Sequence, residues 1–90
     1  SAPYNFHILN NLATISLERK NYLQADEWLN EALRINPRFE DALYNLSYSK
    51  AMQQKYEDAL DILDQVPTNS ERKKMFRQEI IKLRQNQGQH

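Results

Sequence analysis

Two histidines, His7 and His90, twelve Asp plus Glu and no cysteine are the chain's whole stock of groups for metal or acid–base chemistry. The histidines stand far apart in sequence, and no H-E-x-x-H, phosphate-binding glycine loop, G-x-S-x-G or paired Asp-x-Asp calcium loop occurs. Lack of cysteine removes thiolate nucleophiles, disulfides, cysteine-based zinc sites and iron–sulfur clusters together. The acids fall mostly at exposed helical positions, where a solvated carboxylate is the ordinary case. The chain therefore reads as a non-enzyme, without catalytic residues, metal ligands or cofactor.

Two other features invite a chemical reading. Residues 1–67 hold ten acids against six bases, whereas residues 68–90 hold Arg72, Lys73, Lys74, Arg77, Lys82 and Arg84 against only Glu71 and Glu79. A basic helix could bind nucleic acid, but no aromatic ladder interleaves these bases and the rest of the chain is acidic. The favoured role is a terminal helix whose basic face is answered by the acidic part. Asn45-Leu46-Ser47 matches a glycosylation acceptor, yet it falls inside a helical stripe with Leu46 and Ser47 expected in the core, so the match is read as chance.

The elements that must position these groups follow from composition and spacing. Ninety residues at 10.7 kDa make one domain, and 40% hydrophobic with 27% charged residues is a globular composition. One glycine and three prolines leave little material for hairpins or nucleotide-binding turns, so long helices are expected. No apolar run is long enough to span a membrane or serve as a signal peptide. Compartment is left open. Ser1-Ala2-Pro3, with no initiator methionine, reads as a processed or excised segment.

Leu9, Leu12, Ala13 and Ser16, then Tyr22, Ala25, Leu29, Ala32 and Leu33, follow helical spacing, as do Leu43, Leu46 and Ser47, and Tyr56, Ala59, Leu63 and Val66. Asn5 is a candidate N-cap, Lys20-Asn21 and Gln54-Lys55 are breaks, and Asn36-Pro37 and Val66-Pro67 are stops. Five helices are predicted over about 6–20, 22–35, 40–53, 56–66 and 69–86. For the last, Thr68 and Glu71 have the spacing of a capping box, and Phe76, Ile80 and Leu83 make a narrow apolar stripe.

Sliding the chain by 34 residues superimposes Pro3 on Pro37, Leu9 on Leu43, Asn11 on Asn45, Leu12 on Leu46, Tyr22 on Tyr56, Ala25 on Ala59 and Leu29 on Leu63. Average residue usage gives about two such matches. This period, with large-x-x-Leu-small in the first helix, Ala-x-x-x-large in the second and proline after it, resembles the tetratricopeptide repeat over about residues 3–67. The departures are Leu9 and Ala13 at the family's tryptophan and glycine, Ser16 or Lys50 at its tyrosine, and Pro67 four residues early. The resemblance implies an all-α, right-handed solenoid forming one domain: unit one over about 6–39, unit two over about 40–67, a capping helix over about 69–86 and a tail over 87–90. Pro3, at the position that closes a preceding unit, suggests a longer array.

The resemblance also implies a function, protein–protein interaction. The first helix of each unit would line a concave groove, which places His7, Asn10, Thr14, Leu17 and Glu18 there from unit one and Asp41, Tyr44, Tyr48, Ala51 and Met52 from unit two. Tyr44, Tyr48 and Met52 lie at i, i+4, i+8, a single stripe down a helix. Leu43 and Leu46 already supply that helix's core, so the tyrosine rings are expected to face a peptide or helix of a partner protein. Family members that grip an acidic C-terminus use a lysine and asparagine on the first unit and a lysine and arginine on a third. Only Asn45 fits that set, so no carboxylate clamp is expected. Phe6 and Ile8 on the opening helix are expected to support weak self-association, and nucleic acid and membrane insertion are not expected.

Overall fold

A computed structural model describes residues 5–87, all of whose regular structure is helical: α1 (Phe6–Glu18), α2 (Tyr22–Ile35), α3 (Glu40–Met52), α4 (Tyr56–Asp64) and α5 (Glu71–Gln87). Pro3, His90 and most of the expected tail lie outside the described residues. α1 pairs with α2, α2 with α3, α3 with α4, and α4 with α5, giving an elongated body of 50 × 28 × 17 Å. It is an all-α helical-repeat solenoid of two hairpins closed by a fifth helix.

The 34-residue period is visible in the backbone itself. α1 and α3 start and stop 34 residues apart, and both end in the same turn. Lys20 and Gln54, again 34 apart, take positive φ of 60° and 64°. The N–H of Lys20 bonds to Leu17 O and that of Asn21 to Ser16 O, while Gln54 bonds to Ala51 O and Lys55 to Lys50 O. This pair of bonds is a Schellman stop, which satisfies carbonyls left over at a helix end. It takes up residues 19–20 and 53–54, so α1 and α3 are shorter than the periodicity alone predicts.

Other boundaries have equally local causes. Asn5 accepts from the His7 N–H at 2.7 Å and caps α1 as expected. α4 stops at Asp64 because Pro67 offers no N–H and disfavours helical backbone at Val66. The expected capping box at Thr68 is corrected. Ser70 Oγ accepts from the Lys73 N–H at 3.1 Å and α5 begins at Glu71, while the Thr68 hydroxyl donates to Glu40 instead at 2.6 Å.

Alanines set the spacing inside each hairpin. Ala13, Ala25 and Ala32 are fully buried with Leu9 and Leu29, and Ala42 and Leu46 of α3 complete this first core. A second core holds Leu43, Tyr44, Ala51, Ala59, Leu63, Val66 and Ile80. Leu33 and Ile62 touch both, so the two cores run into one another. Where α3 crosses α4 the small residue is Ser47, whose buried hydroxyl donates to Ala59 O at 2.7 Å. Expected core residue Leu12 is the exception, lying substantially exposed.

Candidate functional site

The expected groove residues separate into three groups. On α1, Asn10 is buried and its Oδ1 accepts from Asn45 Nδ2 at 2.9 Å, which ties α1 to α3. Thr14 is exposed, with its hydroxyl turned back onto Asn10 O at 3.0 Å. Leu17 packs on the first core, and Glu18 is exposed. His7 is exposed with its ring 5.0 Å from Phe39 and 4.4 Å from Phe6.

Asp41 and Tyr44 form the second group, and here the expectation of a ring open to a ligand is corrected. Tyr44 is 2% exposed. Its ring meets Phe76 edge-on at 5.3 Å, the Arg72 guanidinium lies 3.9 Å above it, and its hydroxyl is 3.5 Å from Ser70 Oγ. The register did turn position 44 away from α4, but α5 returns over that side of α3 and covers it. Arg72 also reaches Asp41 at 3.7 Å, so both residues are engaged by α5. Edge-on aromatic contact and a cation over the ring add to the apolar burial.

The third group remains accessible. Tyr48 is 40% exposed and Met52 half-buried. With Ala51 they form one wall of a cleft of about 360 Å³, whose other wall is Phe76, Glu79, Ile80 and Leu83 of α5. Apart from Glu79 and the Tyr48 hydroxyl, the lining is apolar. No α1 residue lines it, so the site is a cleft between α3 and α5 and not a groove running through both units. Reasoning from sequence reached Tyr48, Ala51 and Met52 but missed the α5 wall. The Phe76-Ile80-Leu83 stripe was the available signal, and it was assigned wholly to core packing.

Electrostatics around the cleft bear on the basic helix. Arg77 pairs with Asp64 at 2.7 Å and Arg84 pairs with Glu57, both across the α4–α5 contact. Lys73 Nζ donates to Val66 O at 2.8 Å, which anchors the first turn of α5. The bases of α5 are thus largely directed at acids and carbonyls of the second hairpin. Such exposed pairs orient a helix more than they stabilise it.

This arrangement, hairpins in a 34-residue period with a cleft and no chemistry in its walls, is that of a helical-repeat binding surface. A family model described as the coatomer epsilon subunit matches residues 2–86. The chain belongs to the coatomer epsilon subunit family. No curated protein and no solved structure matches it. The match spans all five helices, α5 included almost to its end, so the second wall of the cleft is part of the coatomer epsilon family region. A coatomer epsilon subunit is by description a component of a complex, consistent with a scaffold that works by contact with other proteins. No helix of the described residues is long and apolar enough to cross a membrane.

Proposed function

We propose that this coatomer epsilon family chain is a non-catalytic interaction module of two tetratricopeptide-type units plus a capping helix, which holds a peptide or helix of a partner protein in the α3/α5 cleft. The observation that carries the reading is the exposed Tyr48 ring at the edge of an apolar cleft that is otherwise open. Tyrosine brings large contact area with few rotors to freeze, and its hydroxyl can meet a backbone carbonyl or N–H at the wet rim. Met52 is adaptable in shape, which suits an apolar ligand surface. Glu79 at the edge favours a ligand carrying a nearby base.

Affinity capture from the source extract with wild type beside Tyr48→Ala/Met52→Ala tests this. The variant is expected to keep its helical circular dichroism and to lose at least about tenfold in partner capture, the equivalent of 1.4 kcal/mol. Capture of every partner as before would overturn the reading. Nucleic-acid binding draws less support, since Arg72, Arg77 and Arg84 already face Asp41, Asp64 and Glu57.

A further inference from the structure

The solenoid's own repeat identifies a second docking surface at its α1 end. α2 seats in the groove between α3 and α4: Leu29 and Ala32 share the first core with Ala42 and Leu46 of α3, and Ile62 of α4 packs against them. Subtracting 34 from the groove residues gives Ile8, Leu12 and Trp28. These three, with Leu9, Glu27 and Glu31, line an open cleft of about 370 Å³ between α1 and α2. Its walls are larger and more apolar than those of the filled groove, with Ile8 at Ala42, Ile15 at Ser49 and Trp28 at Ile62. Yet Ile8 is 56% exposed where Ala42 is fully buried, and Leu12 is 36% exposed where Leu46 is 6%.

We infer that the α1/α2 cleft receives an amphipathic helix of another protein, seated as α2 sits between α3 and α4. Its facing stripe should be small residues alternating with leucine, as Leu29, Ala32 and Leu33 are in α2, because Ile8, Leu12 and Trp28 already fill more of the gap. Basic residues should flank the stripe. Glu27 is exposed at the rim, and Glu31 beside it stays charged because a hydrogen bond from Arg34, and then its charge, hold the carboxyl below the usual range. A second copy of the chain is a poor occupant. Its α2 is already seated on α3 and its α4 is covered by α5, and an α1-to-α1 contact would bring two acidic rims together. Phe6, one of the two residues from which self-association was expected, packs on Phe39 at 5.0 Å and is partly buried.

Trp28, the single tryptophan, lines the cleft, so its fluorescence reports occupancy. The full chain is titrated with a synthetic peptide of residues 21–36 carrying Trp28→Phe, and with the same peptide carrying Glu27→Lys and Glu31→Lys as well. A saturable change in Trp28 emission is expected, with the basic peptide binding at least about fivefold more tightly at low salt. Ile8→Glu in the protein, at an exposed position that leaves folding intact, should weaken both by about tenfold or more, whereas Tyr48→Ala should change neither. That last arm separates this cleft from the α3/α5 one. No saturation, equal binding to the Ile8→Glu protein, or a peptide-independent emission change that tracks a doubling of mass would each overturn the inference.

Discussion

The two hairpins share a period, a turn and a pairing geometry, but they differ in what their first helices expose. α3 is enclosed on both sides, by α2 against Ala42, Leu46 and Ser49 and by α5 against Tyr44. α1 has a neighbour only on the side of α2 and α3, so Ile8, Leu12 and Ile15 remain in water although they are collectively more apolar than their counterparts. Burial in this molecule is therefore set by which helix arrives next and not by the hydropathy of the residue. An apolar residue at such a position is evidence about an absent neighbour as much as about a core.

Tyr44 and Asn10 occupy equivalent positions, and they give the sharpest version of the contrast. Tyr44→Ala should remove the contacts with Phe76 and Arg72 and destabilise the fold by about 3–5 kcal/mol, as large-to-small changes of buried aromatic residues do. Urea unfolding measures it. A loss under about 1 kcal/mol would mean that α5 does not rest on α3 in solution. Ile80→Ala, from the opposite side of the same contact, should cost about 2–5 kcal/mol.

Leucine truncations test the same asymmetry within a single residue type. Leu46→Ala is expected to cost about 2–5 kcal/mol, and Leu12→Ala, on the open face, less than about 1 kcal/mol. Equal costs would show that Leu12 is covered in solution. Thermal unfolding of the two variants side by side is sufficient, provided both are compared at the same protein concentration.

Much of this was legible in the residues, and what was not has a physical explanation. The helices, the 34-residue period, the Asn5 cap and the accessible end of the Tyr48–Met52 stripe follow from spacing and end chemistry, which are local. Tyr44 and Leu12 were misplaced because their exposure depends on helices far away in sequence. Helical periodicity told which face of α3 Tyr44 occupies, but not that α5 would fold back onto it. Thr68 was the natural cap by pattern, and lost to Ser70 because Pro67 and the approach to Glu40 delay the start of α5.

The smallest predicted effect concerns what the two units have in common. Lys20 and Gln54 both hold the left-handed position of a Schellman stop, where a side chain costs about 1–2 kcal/mol and glycine costs nothing sterically. Glycine loses more backbone freedom on folding, which offsets about 0.5–1 kcal/mol of that gain. Lys20→Gly and Gln54→Gly should thus each stabilise the protein by about 0.5–1 kcal/mol, read as a higher urea midpoint with unchanged slope. Since both turns make the same two hydrogen bonds, the two gains should be nearly equal and, being in separate turns, additive. A gain at Gln54 with none at Lys20 would show that the α1/α2 hairpin opens before the rest of the solenoid. In that case the contrast between the hairpins would extend from their exposed faces to their stability.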